Sequence, residues 1–224
     1  MPEATDGRME NILRKEAPLN SKAESILAGA KRAFLAAGFG AVSMDTIARE
    51  AGVSKATVYA HFAGKEELFG AVIERECEAL NSRYFARFSP DELNPRDVPA
   101  SLAILGRRFL ELLLSPDGIA LYRIIIAEVT RFPRLGEVFW HAGPERQRLQ
   151  IEAFLKSAIA SGTLALADTR LAAEQFVALI RGDVHLRHLL RLEADADRRG
   201  IGAAVEAAVA AFMRGRECRP TAPR

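Results

Sequence analysis

The sequence predicts an all-α chain: a three-helix unit containing a helix-turn-helix, followed by a larger helical domain. Three observations carry this. Residues 43–62, SMDTIAREAGVSKATVYAHF, read as two short capped helices around a glycine turn. Apolar residues beyond them recur at the helical spacing, and no alternating strand pattern or internal repeat appears. Pro116 and Pro144 fall at first-turn positions of expected helices.

Residues 1–20 are polar and mixed in charge and are expected to form a flexible arm, with Arg8, Arg14 and Lys15 within reach of a nucleic-acid backbone. A capping box, Ser21 to Glu24, is expected to open the first helix, and Gly38 to close it. Ser43 then caps the second helix, with Asp45 in its first turn, and Ser54 caps the third. Hydrophobic staples, Val42 with Ile47 and Val53 with Val58, bracket the two caps. Gly52 stands where a left-handed residue lets the chain reverse.

Helix, tight turn and helix form the geometry that lays a recognition helix in a DNA major groove. Val58 and Phe62 are one turn apart and face inward; Lys55, Ala56, Thr57, Tyr59, Ala60 and His61 face out. Ala56 and Ala60 make a low ridge for close approach to base edges. Thr57 and Tyr59 offer hydroxyls, while Ser43, Ser54, Lys55 and Lys65 are placed for phosphates. No acidic residue occurs between Gly52 and Lys65, as a polyanionic partner requires.

Lys65, Glu66 and Glu67 open a long fourth helix, whose apolar positions are Phe69, Ile73, Cys77, Leu80 and Tyr84. The proline-rich stretch 89–99 breaks it off. Helices are expected near 99–114, 117–131, 145–161, 169–191 and 200–214, with Pro116 and Pro144 in first turns and a frayed tail over 215–224. These signals divide the chain into an arm (1–20), a helix-turn-helix domain (21–67), a helical domain (68–214) and the tail. Helix 169–191 is apolar on two sides, which suggests burial against its own domain and against a second copy. Phe154, Ala158, Val177, Ile180, Val184 and His188 are the candidate dimer contacts.

The segment Ser21 to about Arg75 resembles the N-terminal domain of the TetR family of bacterial one-component regulators. Ile26, Leu27, Phe34, Gly38 and Phe39 carry the first-helix pattern. Ile47, Ala48, Ala51, Gly52, Val53, Ser54, Tyr59, His61, Phe62, Lys65 and Leu68 carry the rest. Residues 119–190 resemble the C-terminal domain of the AefR-like branch, through RIIIAEVTRFPRLGEVFWHAGP and LAAEQFVALIRGD. The resemblance implies a dimeric repressor of a palindromic operator, whose second domain takes a small amphiphilic or aromatic effector and so acts allosterically.

Aromatic side chains populate that second domain, and apolar pockets between bundle helices are common ligand sites. Phe85, Phe88, Phe109, Tyr122, Phe139, Trp140 and Phe176, with Arg123 and His141 as polar handles, are the candidate effector residues. The other reading is a helical carrier that binds a small molecule without binding DNA.

Composition sets the outer bounds. The net charge is +2, so any DNA affinity must come from a local patch. Two cysteines, Cys77 and Cys218, make no disulfide framework and fit a cytoplasmic protein. No apolar run approaches a membrane span, and the N-terminus has no signal-peptide pattern. Hydrolase elbows, phosphate loops, complete dinucleotide fingerprints and zinc-protease motifs are absent. No enzyme, cofactor or metal site is expected; His185 and His188 read as solvent or interface histidines.

Overall fold

The computed structural model describes residues 6–85, 92–192, 198–214 and 216 of the chain. Among the described residues there are eleven helices and no strand. The first, α1 (Asp6–Ala41), begins fifteen residues before the Ser21 capping box, so Ser21 lies inside a helix rather than at its start. The side chains of Arg8, Arg14 and Lys15 lie outside the description. Gly38, at φ 77° and ψ 162°, interrupts α1 where its closing glycine was expected.

The helix-turn-helix forms as the local signals require. Ser43 Oγ accepts from the Thr46 N–H at 3.1 Å and caps α2 (Met44–Ala51). Ser54 Oγ accepts from the Thr57 N–H at 3.1 Å and caps α3 (Lys55–His61). Between them Gly52 adopts φ 68°, and its N–H closes on the Ala48 and Arg49 carbonyls. A side chain there would be strained in the left-handed conformation. Ile47 and Val58 are fully buried, and their helices stand against α1.

Helix α4 (Lys65–Tyr84) joins this reading head to the rest of the molecule. Its start belongs to the first three helices through Leu68 and Phe69, and its end packs against the second domain through Cys77 and Leu80. Ion pairs tie it sideways to α1: Lys31 to Glu76 at 2.6 Å and Arg75 to Glu24 at 2.8 Å. Phe39 stacks on Phe69 with centroids 4.7 Å apart and meets Phe132 edge-on at 4.6 Å. Phe34 meets Phe69 edge-on at 4.7 Å. This aromatic knot fills the seam between the two layers, where the Gly40 N–H also donates to Glu128 Oε1 at 3.3 Å.

The second domain contains α5 (Val98–Leu113), α6 (Pro116–Glu128), α7 (Pro133–Ala142), α8 (Pro144–Ala160), α9 (Thr169–Arg181), α10 (Val184–Leu189) and α11 (Arg198–Met213). Pro116 and Pro144 sit in first turns as expected. Helix α7 was not foreseen. Its buried residues Leu135, Phe139 and Ala142 keep helical spacing, and Pro133 marks its first turn.

The single helix expected over 169–191 is two. Gly182, at φ 47° and ψ −144°, ends α9, and α10 starts two residues later in a new direction. Arg123 on α6 holds the far end of α10, donating to the His188 and Leu189 carbonyls at 2.7 and 3.1 Å. Arg216, inside the stretch expected to fray, is held in place. Its guanidinium reaches Gln175 Oε1 at 2.7 Å and lies 4.5 Å over the Phe212 ring.

Candidate functional site

The outward face of α3 is the candidate DNA surface. Ser54, Lys55, Ala56, Tyr59 and Ala60 are exposed, Thr57 and His61 are partly so, and Ser43 is exposed at the α2 cap. Tyr59 is 49% exposed, a large surface for an aromatic ring with no fold partner. Lys55 Nζ lies 2.9 Å from Asp45 Oδ1, and that hydrogen bond holds its pKa above the ordinary value. Both side chains are solvated, so a DNA phosphate can replace the carboxylate at small cost.

Lys65 differs from its expected role. Its Nζ donates to the Phe39 and Val42 carbonyls at 2.9 Å each and to the Gly40 carbonyl at 3.4 Å. It also lies 4.5 Å over the Phe39 ring. A lysine has three protons to donate, and all three are aimed at the end of α1. Lys65 is held by these backbone carbonyls, and a phosphate contact would require it to leave them.

The candidate effector residues divide. Phe109 and Phe176 are fully buried; Phe176 meets Phe212 at 5.2 Å and fills the α5–α9–α11 core. Phe85 is buried at the end of α4, and Phe88 lies outside the described residues. Trp140 and His141 face solvent, and His141 Nδ1 pairs with Glu145 at 2.6 Å. Arg123 is committed to the α10 carbonyls.

Tyr122 and Phe139 do come together. Their rings meet edge-on at 4.9 Å, and Tyr122 meets His185 edge-on at 4.6 Å. His185 was not anticipated here. It is 4% exposed, and His188 is also buried, donating from Nδ1 to the Val184 carbonyl at 2.9 Å; neither is a solvent histidine. The signal was their spacing on one helix face, which sequence alone did not place inside. Among the described residues no group of three or more His, Cys, Asp or Glu side chains is placed to hold a metal ion.

Electrostatics single out the same place. Burial, aided by the positive charges of Arg181 and His188, pushes the His185 pKa down to about 4 from 6.5. Burial raises the Tyr122 phenol, against the opposing pull of Arg181. Burial pushes the Cys77 thiol up to about 12, so it is an inert core group.

The histidine has a consequence for stability. Because its folded pKa is depressed, the unfolded chain binds the extra proton between about pH 6.5 and pH 4. The stabilisation is complete above that window and is lost as pH falls through it. Urea midpoints from pH 7 to pH 4 should fall less steeply for His185→Gln than for the parent chain. Parallel slopes would show that His185 is not buried in its neutral form.

Two further cavities lie nearer the reading head. One of about 250 Å³ opens between α4 and α7, between Phe62, Phe132 and Val138 with Glu66, Glu74 and Arg134 at its edge. A smaller one of about 60 Å³ lies between α1, α4 and α6 beside Phe34, Leu35 and Ile124. Neither is lined by the aromatic residues expected to hold an effector.

The dimer candidates also need correction. Phe154, Ala158, Ile180 and His188 are buried within one protomer, and Val177 and Val184 are partly so. The second apolar side of 169–191 is largely consumed by the chain's own core. What remains uncovered is Leu179, Leu186 and Leu190, at 42%, 57% and 61% exposure. Among the described residues no helix is long and apolar enough to cross a membrane.

Comparison with known proteins agrees with this architecture. Residues 26–72 match the bacterial regulatory proteins of the tetR family. Residues 100–215, just over half of the chain, match the C-terminal domain of AefR-like transcriptional repressors. The chain belongs to the TetR family. It is a DNA-binding transcriptional regulator and not an enzyme.

The flavonoid-responsive regulator FrrA is 35% identical, with a TM-score of 0.74 over 91% of this chain and 100% of that one. A TetR-family regulator from Mesorhizobium loti MAFF303099 is 26% identical, with a TM-score of 0.78 over 89% and 98%. The transcriptional activator FasR of Mycolicibacterium smegmatis is 40% identical over 65 residues. That match spans 29% of this chain and 30% of FasR, so FasR is similar only over a fraction of its length.

Proposed function

We propose that this TetR-family protein is a cytoplasmic repressor that binds a palindromic operator as a homodimer and releases it when a small aromatic or amphiphilic effector enters the second domain. Residues 21–67 form the reading head, and residues 68–214 form the effector and dimer domain. The observation that carries the reading is α3, capped, exposed and free of acidic residues from Gly52 to Lys65.

Repression is supported by the AefR-like repressor domain, although FasR, similar over 65 residues, is an activator. An aromatic effector is supported by the likeness to FrrA, which is flavonoid-responsive, and by the Tyr122–Phe139–His185 cluster. Dimerisation is assigned to the uncovered leucines of α9 and α10, because three exposed leucines on adjoining helices form a patch that solvent disfavours.

In vitro selection from random double-stranded DNA tests the reading. A palindrome with half-sites about 34–36 Å apart, or a multiple of that, is the expected product. Lys55→Ala should weaken binding to every sequence and reduce the salt slope by about 0.9 for the lost phosphate contact. Failure to enrich any sequence, or wild-type affinity of Lys55→Ala at all salt concentrations, would place the DNA surface elsewhere.

A further inference from the structure

Three polar side chains from separate helices carry buried atoms that have no hydrogen-bond partner among the described residues. Asn81 on α4 donates from Nδ2 to the Ala142 carbonyl at 3.3 Å, but its Oδ1 is buried and accepts nothing. His185 on α10 is 4% exposed, and its Nε2 has no hydrogen-bond partner. Arg181, at the end of α9, has a buried Nε without a partner and no ion pair among the described residues. Tyr122 on α6 stands between His185 and Phe139, edge-on to both.

Native interiors rarely leave such groups unpaired, and a cluster of them marks a place where something else supplies the bonds. The charge balance says what. Arg181 is permanently cationic, its field acts on both Tyr122 and His185, and no carboxylate pairs with it. The missing partner is therefore an acceptor, and an anionic one is held best. The rings of Tyr122, Phe139 and His185 pack on one another here, and their faces and edges suit a flat aromatic body. Tyr122 and Arg181 are only partly buried, so the cluster is reachable from outside.

We infer that Arg181, His185 and Asn81 form the polar end of the effector site and hold the acidic hydroxyl or carboxylate of a planar aromatic effector against Tyr122 and Phe139. This rests on the effector reading proposed above and specifies its chemistry. Arg181 supplies the charge; neutral His185 donates from one ring nitrogen or accepts at the other; Asn81 Oδ1 accepts from a second hydroxyl.

The test titrates the full-length protein by calorimetry with 7-hydroxyflavone and with 7-methoxyflavone, which lacks the acidic proton. The hydroxyl compound should bind on the order of tenfold tighter. Arg181→Gln should abolish that preference, and Arg181→Lys should restore part of it. Thermal midpoints check that each variant is folded; should Arg181→Gln fail to fold, the flavone pair on the parent chain and Arg181→Lys decides. Equal binding of both flavones by the parent chain, unchanged by the Arg181 variants, overturns the polar-end assignment and leaves the aromatic-effector reading standing. Binding of neither flavone overturns both.

Discussion

Lys65→Met is expected to destabilise the reading head by about 2–3 kcal/mol while leaving the salt slope of DNA binding unchanged. Three carbonyls at the end of α1, those of Phe39, Gly40 and Val42, have Lys65 Nζ as a donor. Methionine keeps most of the stem and removes every proton. The carbonyls of a helix end have no intrahelical partner, and a cation there also opposes the helix dipole. Denaturant midpoints give the stability, and affinity against salt concentration gives the slope. A phosphate contact would behave in the opposite way, with stability intact and the slope reduced by about 0.9. The two measurements together therefore decide which role Lys65 has.

Phe39→Ala is expected to cost about 3–5 kcal/mol, the largest effect of any single truncation in the seam. Phe39 is completely buried, stacks on Phe69 and meets Phe132 edge-on. Removing the ring leaves a void that neither neighbour can fill without leaving its own core position. Against a typical stability of about 5–15 kcal/mol, the loss is about a fifth or more. Because the ring joins the reading head to the second domain, urea unfolding should also broaden or split into two steps. A loss below about 1 kcal/mol would mean that the aromatic knot collapses around the gap.

The parts of this architecture that were legible in the sequence depend on short-range chemistry. Ser43, Ser54 and Gly52 act on backbone groups within a few residues, so pattern alone locates α2, the turn and α3. The carbonyl partners of Lys65 were not foreseen because they lie 23 to 26 residues earlier and meet it only when α1 and α4 pack. Helix α7 escaped although Pro133 stood at its first turn and Leu135, Phe139 and Ala142 carried the helical period.

The reading of 169–191 as one doubly apolar helix failed at Gly182. A glycine inside a periodic run is tolerated in many helices, and nothing local shows that this one turns the chain. With the break in place, Ile180 and His188 go inward on different elements, and the exposed leucines become the uncovered set. Tyr122, Arg181 and His185 come from three different helices, and no spacing rule predicts such a meeting.

Helix α4 has twenty residues and is therefore about 30 Å long. It is a rigid rod clamped at one end by the aromatic knot and the Lys65 tether, with its other end beside the polar cluster. A tilt of only about 6° about one end displaces the other by about 3 Å, the full length of a hydrogen bond. In a symmetric pair the two displacements add, so the distance between the recognition helices changes by about twice that. Base contacts tolerate far less than this before they are lost, and a sub-ångström rearrangement in the core suffices to start such a tilt. In the proposed effector-released dimer, leverage rather than the strength of any single contact would set the sensitivity of the reading head to its distant interior.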